Sequence, residues 1–428
     1  MTRNSIKNLA CYVMMTFCAI AYADAQSVEV AYEKNGKIEK EDIELPMSMT
    51  YPLDSLLNEW KVKQYIDWGK DCETSKINPE FADSVYIERL YRIPAIIEMP
   101  YNDIVRKFID QYTGRLRKQV AFMLSAYNFY MPIFEEALDA YGLPLELKYL
   151  PIIESALNPK ATSRAGASGL WQFMQATGKM YGLESNSLVD ERKDPIKATW
   201  AAARYLKELY KIYGDWTLVI ASYNCGPGTI NKAIRRAGGE TDYWKIFDLL
   251  PRETQGYVPA FIAANYVMNY YCNHNICPLE TNMPASSDTI QVTRKLHLQQ
   301  VSDLCSISME QLRSLNPQYK HDIVPGHTKP QTLRLPTTQI SRFIDLQDTI
   351  YNHRANELMS NRKIAEVKHR YAGKSIQAKG QPIYHKIKNG ETLGTIAKKY
   401  HVTVKNIQRW NGLSNTNIRA GKSLKIYK

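Results

Sequence analysis

The chain has 428 residues, of which 44% are hydrophobic and 23% are charged. One compact core does not usually hold this length, so we expect roughly two to four domains. The 55 basic and 43 acidic residues leave a net charge of +12, which favours an anionic partner such as a cell-wall polymer, a lipid surface or nucleic acid. The chain has no zinc-finger, RRM or helix-turn-helix pattern, so nucleic acid is the weakest of the three and we expect none.

The N-terminus has the order of a secretory signal. Arg3 and Lys7 precede an apolar stretch from Leu9 to Ala21, and Ala23-Asp24-Ala25 follows as a small-residue cleavage site. We therefore expect residues 1–25 to be a signal peptide and the mature chain to be exported. The apolar stretch is shorter than the ~20 residues that cross a bilayer, and no later segment comes close, so we expect no integral membrane span in the mature chain.

Five cysteines remain after that cleavage: Cys72, Cys225, Cys272, Cys277 and Cys305. In an oxidising compartment the favoured pair is Cys272 with Cys277, which are close in sequence. The alternative is that all five are small buried apolar residues. The chain has no Cys-x-x-Cys pattern and its eight histidines are scattered, so we expect no metal site and no cofactor.

Residues 26–100 give mixed signals, because Pro46, Pro52, Pro79 and Pro94 interrupt any regular pattern. We expect an irregular wrap with short helices in this region. The following region, residues 101–280, is predicted to be one helical domain that resembles a bundle.

Within that domain, apolar residues recur at helical spacing from Asp103 to Ala140. A second helical segment opens at Pro144 and ends before Asn158-Pro159, which forces an extended residue. Glu154 is therefore predicted to lie in a last helical turn. Further helices are predicted at Ala198 to Tyr213 behind the Asp194-Pro195 cap, at Trp216 to Tyr223 before Gly226, and at about Tyr257 to Tyr270.

Glu154 is the strongest candidate for chemistry, because it is a lone carboxylate among Ile152, Ile153, Ala156 and Leu157. Desolvation by such neighbours disfavours the charged form of a carboxyl and raises its pKa towards the range of a general acid. In lysozyme, one carboxyl in an apolar pocket acts in this way. The alternative is a helix-end Glu that faces solvent, as most glutamates do.

After Pro284 the apolar residues no longer recur only at helical spacing, and alternating stretches typical of strands occur. Residues 286–338 predict a β-α-α-β unit, with strands at Asp288 to Val292 and Gln331 to Leu335. Residues 382–428 repeat the same order at the C-terminus. Residues 339–381, between the two units, are highly charged and predict a helix followed by a linker.

Four motifs in the helical region resemble, in order and spacing, those of soluble-type (SLT) lytic murein transglycosylases, especially the membrane-bound lytic murein transglycosylase D group. They are Glu154-Ser155, Gly169-Leu170-Trp171-Gln172, Ser222-Tyr223-Asn224-Cys225-Gly226 and the run Glu253 to Pro259. The resemblance covers roughly residues 100–275. It implies a mainly α protein, with a lysozyme-like (goose-type) helical catalytic domain followed by small α+β modules.

The resemblance also implies roles for individual residues. Glu154 is the expected catalytic residue, acting first as acid on the bond between N-acetylmuramic acid and N-acetylglucosamine and then as base on the muramyl C6 hydroxyl, which gives a 1,6-anhydro end. The expected substrate-binding residues are Ser155, Gln172, Met174, Tyr223, Asn224 and Tyr257. Each of these could instead be a packed or capping residue, since tyrosine in particular is commonly half-buried.

A hydrolase of the two-carboxylate kind would need a second acid roughly 5–10 Å away. Asp190, Glu191 and Asp194 are the nearest candidates in sequence. Acids at a helix start complement the helix dipole, and Asp194 precedes a proline as a cap does, so their structural interpretation is the stronger one.

The C-terminal unit resembles a LysM peptidoglycan-binding module through Ile387 to Leu393, Trp410-Asn411 and Asn417 to Gly421. The resemblance implies that Gly390, Glu391, Thr392, Asn417 and Ile418 line a groove for glycan, although Thr392 could equally cap a helix. The earlier unit lacks the Gly-Glu-Thr turn, so it is a divergent LysM-like module.

We therefore expect an exported peptidoglycan lytic transglycosylase, a monomer in the periplasm or cell envelope that associates with glycan strands of the wall. One alternative is a muramidase similar to goose-type lysozyme, which would hydrolyse the same bond. The other is a noncatalytic peptidoglycan-binding protein that keeps the fold.

Overall fold

The computed structural model describes residues 27–34, 37–51, 77–279, 284, 286–359, 383–411, 413, 415–416 and 418–427. The predicted signal peptide lies outside these residues, as does most of the predicted linker. The chain divides into two compact units, residues 1–358 and 359–428. Across the described residues, no helix is both long and apolar enough to cross a membrane.

The described chain begins with an antiparallel hairpin where the sequence predicted an irregular wrap. Strand β1 is Ser27–Lys34 and β2 is Lys37–Glu44, and Val28 pairs with Ile43. Val30 and Ile43 are fully buried, so the alternation of apolar residues fixes the face that packs on the helical domain. The prediction was wrong here because the prolines lie beyond the hairpin, where a 3₁₀ turn at Met47–Thr50 follows Pro46.

The helical domain is built from ten α-helices in the described residues: α1 Asp83–Arg92, α2 Asp103–Thr113, α3 Arg117–Ala140, α4 Leu150–Ser155, α5 Gln175–Met180, α6 Pro195–Tyr213, α7 Trp216–Cys225, α8 Pro227–Arg236, α9 Tyr243–Ile246 and α10 Arg252–Tyr270. The predicted helix from Asp103 to Ala140 is two helices, which separate at Gly114. Helix α10 begins five residues before its predicted start. Glu154 lies in the last turn of α4, as predicted.

Helix α10 is the centre of the core, because it packs against α2, α4 and α7 as well as β2. Its residues from Thr254 to Met268 are buried on all sides, and Pro259 is accommodated inside the helix. A helix that is apolar all round belongs in a core. Helix α10 therefore contacts both α4 and α7, the two helices that carry predicted site residues.

The divergent LysM-like module contains the predicted β-α-α-β order, with one further short strand on each side of the helix pair. Its elements are β3 Ser287–Val292, β4 Lys295–His297, α11 Leu298–Cys305, α12 Met309–Leu315, β5 Ile323–Pro325 and β6 Gln331–Pro336. Strands β3 and β6 pair antiparallel, and β4 pairs with β5.

The module extends further than predicted, because helices α13 Ile340–Asp345 and α14 Gln347–Asn352 pack on it. Their residues Phe343 and Ile350 are buried in its core. The predicted boundary at residue 338 was therefore too early, since apolar side chains within a charged stretch belong to this core. A short helix, α15 Ala355–Leu358, ends the first unit.

The module is docked on a loop of the helical domain. Val189 forms an isolated antiparallel bridge with Tyr319, and the Asp190 amide donates to the Gln318 carbonyl at 2.9 Å. Lys329 forms ion pairs with the carboxylates of Glu184 and Glu191. These contacts hold the module against the loop that leads into α6.

The second unit repeats the β-α-α-β order, as predicted. It consists of β7 Ile383–Lys386, α16 Leu393–Tyr400, α17 Val404–Asn411 and β8 Ser423–Ile426, with β7 and β8 paired antiparallel. Its core includes Ile387, Leu393, Ile396, Ile407 and Leu424.

The predicted cysteine pairing was wrong. Cys277 is disulfide-bonded, whereas Cys272 is a free thiol in an exposed position. Sequence proximity was the only basis for that pairing, and Cys272 lies in a 3₁₀ turn at the end of α10. Cys225 and Cys305 are also free thiols.

Candidate active site

Glu154 lies at the wall of a cavity of about 440 Å³. Helix α4 ends one residue after it, at Ser155, because Ala156 adopts a left-handed conformation with φ 50°. Ile152 and Ile153 are buried in the core, while the Glu154 side chain is partly exposed to the cavity. The helix end therefore presents one carboxyl to a concave site and buries its apolar neighbours.

The cavity walls come from separated parts of the chain, and together they define what we call the catalytic pocket. Its lining residues are Pro46, Met47, Ile153, Glu154, Ser163, Ala165, Ala167, Gln172, Phe173, Met174, Thr177, Tyr205, Tyr223, Asn224, Cys225, Gly226, Glu253 and Tyr257. Of the six predicted substrate-binding residues, five lie in this lining and Ser155 does not.

Tyr257 donates a hydrogen bond to the Glu154 carboxylate from the buried face of α10. Burial raises the pKa of Glu154 from its ordinary 4.5 to about 8; the Tyr257 hydrogen bond opposes this rise and the charge of Glu253 adds to it. The pKa of Tyr257 is raised well above its usual value, first by burial and then by the charge of Glu154. Glu154 is therefore protonated at neutral pH and can act as an acid.

Tyr223 faces the pocket from α7, and its hydroxyl donates to the Trp171 carbonyl at 2.8 Å. Its ring lies 5.4 Å from that of Tyr205 and 6.5 Å from that of Phe173, measured between centroids. Such an aromatic wall suits the apolar faces of sugar rings, and the fixed hydroxyl keeps the ring in place.

Asn224 is held between two residues at the start of α10. Its amide nitrogen donates to a Glu253 carboxylate oxygen at 3.4 Å, and its amide oxygen accepts from the Thr254 hydroxyl at 2.8 Å. Both amide groups are engaged, so the orientation of the side chain is fixed at the pocket edge.

Gln172 and Met174 lie on the wall formed by the Gly-Leu-Trp-Gln motif. The Gln172 amide nitrogen donates to the Gly169 carbonyl at 2.7 Å. Its amide oxygen is buried and has no hydrogen-bond partner among the described residues. Met174 is 45% exposed and supplies an apolar surface beside it.

Ser155 does not contact the pocket. It is fully buried, and its hydroxyl donates to the carbonyls of Pro151 at 3.0 Å and Leu170 at 2.9 Å. Adjacent residues of a helix point about 100° apart, so Ser155 faces inward when Glu154 faces the cavity. The packed alternative that the sequence left open for Ser155 fits this position, because the residue ties α4 to the Gly-Leu-Trp-Gln motif.

The glycine and tryptophan of that motif have structural roles. A Cβ atom on Gly169, where φ is 86°, would lie 1.8 Å from the Arg192 carbonyl oxygen. The Trp171 side chain is fully buried, and its indole nitrogen donates to the Thr199 hydroxyl at 2.9 Å. The motif therefore fixes the backbone from which Gln172 and Met174 reach the pocket.

The acids that the sequence offered as a second carboxylate have structural partners. Asp190 pairs with Arg192 at 2.8 Å, and Glu191 pairs with Lys197 at 2.6 Å. The Asp194 carboxylate accepts from two backbone amides at the start of α6, at 3.0 Å each. None of the three lines the catalytic pocket.

Glu253 is a pocket residue to which sequence reasoning assigned no role, although it opens the fourth motif. It is exposed at the first turn of α10 and lines the pocket together with Glu154. Tyr205, Pro46 and Met47 were also missed. They lie outside the four motifs, and their positions depend on contacts between distant parts of the chain.

The predicted glycan-binding residues of the C-terminal module have partners of their own. Gly390 has φ 84°, as its tight turn requires. The Glu391 carboxylate is hydrogen-bonded to the His385 ring nitrogen at 2.9 Å and accepts from the Lys388 amide at 2.8 Å. Thr392 caps α16, and Ile418 packs against the core. Asn417 lies outside the described residues.

No group of three or more potential metal ligands occurs in the part of the chain that the structure describes. The pocket presents one carboxyl with a raised pKa, a buried tyrosine hydroxyl and hydrogen-bonding amides.

Residues 131–246 match the family described as Transglycosylase SLT domain. This range includes Glu154, Gln172, Tyr223 and Asn224. Residues 286–352 match the lytic transglycosylase MltD LysM-like domain, and residues 385–426 match the LysM domain. The chain contains an SLT transglycosylase domain followed by two LysM-type modules. The lysozyme-like, mainly α fold predicted from the sequence is thereby confirmed, as are the two LysM-type modules.

Among relatives of this SLT-type chain, the membrane-bound lytic murein transglycosylase D of Escherichia coli (strain K12) is 29% identical over 335 residues, which is 77% of this chain and 70% of the relative. The soluble lytic murein transglycosylase of the same strain is 32% identical over 124 residues, or 28% of this chain and 19% of the relative.

The 70 kDa soluble lytic transglycosylase of Escherichia coli, a solved structure, is 28% identical with a TM-score of 0.29, over 33% of this chain and 24% of that one. The chain thus spans about a quarter of that structure.

Proposed function

We propose that this chain cleaves the β-1,4 bond between N-acetylmuramic acid and N-acetylglucosamine of peptidoglycan and leaves a 1,6-anhydromuramyl end. The observation that carries the proposal is the Glu154 carboxyl in the catalytic pocket, which accepts a hydrogen bond from Tyr257 and whose pKa burial raises to about 8. The match to the SLT domain and the names of the murein transglycosylase relatives support the class of reaction.

In the proposed reaction, Glu154 donates its proton to the glycosidic oxygen as the bond to the muramyl C1 breaks. The resulting carboxylate then accepts the proton of the muramyl C6 hydroxyl, whose oxygen bonds to C1. Glu154 ends protonated, and water is neither consumed nor released. Because the attacking hydroxyl belongs to the same sugar, the step gains from high effective concentration and requires no second carboxylate.

Tyr257 supports the second half of this reaction. Its hydroxyl donates to the carboxylate, so it stabilises Glu154 after the first proton transfer, while burial keeps the acid form available beforehand. Gln172, Met174, Tyr223 and Asn224 line the pocket, and we propose that they contact the sugars.

A muramidase on the same scaffold is the second candidate, and the position of Glu253 is what favours it. This carboxylate lies in the lining of the same pocket and could in principle direct a water to C1. It is exposed and engages Asn224 at the pocket edge, which fits a supporting role better than that of a base.

We propose that the two LysM-type modules hold the enzyme to glycan strands, with Gly390, Glu391, Thr392, Asn417 and Ile418 as the binding turns of the C-terminal module. The net charge of +12 adds attraction to an anionic wall. An exported monomer in the periplasm or cell envelope fits this substrate. The Escherichia coli relative is described by its name as membrane-bound.

The test is mass spectrometry of soluble products from purified peptidoglycan treated with the wild type, Glu154→Gln and Glu253→Gln. We expect muropeptides lighter by one water from the wild type and from Glu253→Gln, and none from Glu154→Gln. Ordinary reducing ends that disappear in Glu253→Gln would instead establish the muramidase. An absence of products from wild-type protein would leave a binding function.

A further inference from the structure

The segment Pro46–Tyr51 is part of the catalytic pocket, although it lies 80 residues or more before the matched SLT domain. Pro46 and Met47 line the pocket together with Glu154. Met49 is buried at 3% exposure and anchors the segment in the core of the helical domain. One wall of the pocket is therefore supplied by a part of the chain that carries none of the four motifs.

The segment is bonded to the helix end that carries Glu154. The hydroxyl of Ser48, which is 3% exposed, donates to the Ile153 carbonyl at 2.6 Å across 105 residues of sequence. Carbonyls in the last turn of a helix lack intrahelical partners and need donors from elsewhere. Ser48 supplies such a donor one residue before Glu154, so it fixes the peptide from which the carboxyl projects.

The hairpin before the segment packs against α10, the helix whose Tyr257 contacts Glu154. A Cβ atom on Gly256 would lie 2.4 Å from the Glu44 carbonyl oxygen, so β2 approaches α10 directly beside Tyr257. Packing on α10 therefore fixes the position of β2 before the chain reaches the pocket. The 3₁₀ turn Met47–Thr50 follows this strand.

Tyr51 is the last residue of the segment and interacts with the Glu154 carboxyl. Its pKa is raised by burial and also by the charge of Glu154. Its hydroxyl is buried and has no hydrogen-bond partner among the described residues. The end of the segment thus contributes to the low-dielectric surroundings of the acid, in addition to the bond from Ser48.

We propose that the segment Pro46–Tyr51 contributes two functional residues to the active site. Ser48 is a positioning residue for Glu154, and Met47 is an apolar substrate contact. The proposal rests on the proposed function of Glu154 and extends it to a segment outside the matched domain. A merely structural role would require only that the segment cover the core, and would not need the Ser48 hydroxyl or the Met47 side chain at the pocket.

The Ser48 arm compares Ser48→Ala and Ser48→Thr in the full chain with Ser125→Ala, which removes another hydroxyl bonded to backbone carbonyls, in α3. We expect Ser48→Ala to lower kcat about tenfold with KM changed less than twofold, because the Glu154 carboxyl loses its fixed position. Ser48→Thr should keep most of the activity, since it retains the donor. Equal effects of Ser48→Ala and Ser125→Ala would overturn this role.

A second readout of the same variants does not depend on turnover. Titration of ¹³C-labelled glutamate carboxyls by NMR, with the Glu154 signal assigned through Glu154→Gln, should show Glu154 ionising at lower pH in Ser48→Ala, because a loosened turn admits water. An unchanged titration would contradict the positioning role. If wild-type protein proved inactive, this readout would still decide the role of Ser48 while the proposed reaction failed.

The Met47 arm compares Met47→Ala with Met180→Ala, a methionine that is 78% exposed and outside the pocket lining. Calorimetry with chitotetraose as the probe should show Kd raised about threefold to tenfold by Met47→Ala and unchanged by Met180→Ala, because a buried apolar contact is lost. Equal affinities of Met47→Ala and wild type would overturn the substrate contact.

Discussion

Replacing the proposed acid should make the protein more stable, with a defined pH dependence. Burial raises the pKa of Glu154 from 4.5 to about 8, so the native state holds a proton that the unfolded chain releases. At about 1.4 kcal/mol for each tenfold change in acidity, this difference corresponds to about 5 kcal/mol. The carboxyl is partly open to pocket water, and we therefore expect about 2–3 kcal/mol in practice.

The sign follows from the raised pKa. At pH 4 the Glu154 carboxyl is largely protonated in both folded and unfolded wild type, and the wild type and Glu154→Gln should unfold with similar free energies. Between pH 4.5 and 8 the unfolded chain loses the proton first, so the wild type loses stability relative to the variant. Above pH 8 Glu154→Gln should remain more stable by the full amount, since its neutral amide has no charge to bury.

The assay is urea unfolding of both proteins at pH 4, 6 and 8, followed by tryptophan fluorescence. Glu88→Gln is the control, because Glu88 forms an exposed ion pair with Arg92 on the surface of α1. Its difference from the wild type should not change between pH 6 and 8. A difference between Glu154→Gln and the wild type that stays within about 0.5 kcal/mol across this range would refute the raised pKa.

Two further substitutions test the geometry. Tyr257→Phe removes a hydrogen bond that lowers the pKa of Glu154, so the high-pH limb of the kcat profile should move to higher pH and kcat should fall about tenfold. An unmoved limb would show that this bond does not act on the acid. Gly169→Ala should cost more than about 3 kcal/mol in thermal unfolding, because its Cβ meets the Arg192 carbonyl. Gly166→Ala, with φ 89° and open space, should cost only about 1 kcal/mol, and equal losses would contradict the close approach at Gly169.

The sequence was informative where function or structure depends on a local pattern. The apolar run around Glu154 and the break at Asn158 predicted a carboxyl in a last helical turn, and the structure has it there. The β-α-α-β order of both modules was likewise visible in alternation and helical spacing.

Features that depend on contacts between distant residues were missed. Ser48 reaches Ile153 across 105 residues, and no periodicity near either residue signals that bond. The burial of Ser155 away from the pocket was not visible in the sequence, because a motif identifies neighbours in sequence and does not say which side of a helix faces a cavity. The cysteine pairing was wrong for a similar reason, since proximity in sequence does not bring two thiols together.

The most direct test of the central claim is digestion of purified peptidoglycan in water enriched in ¹⁸O. In the proposed reaction the C6 hydroxyl attacks C1 and no water is incorporated, so the product ends should contain no ¹⁸O and be lighter by one water than hydrolysis products. Muropeptides whose reducing ends carry one ¹⁸O atom would show that water attacks C1, and would contradict transglycosylation by Glu154.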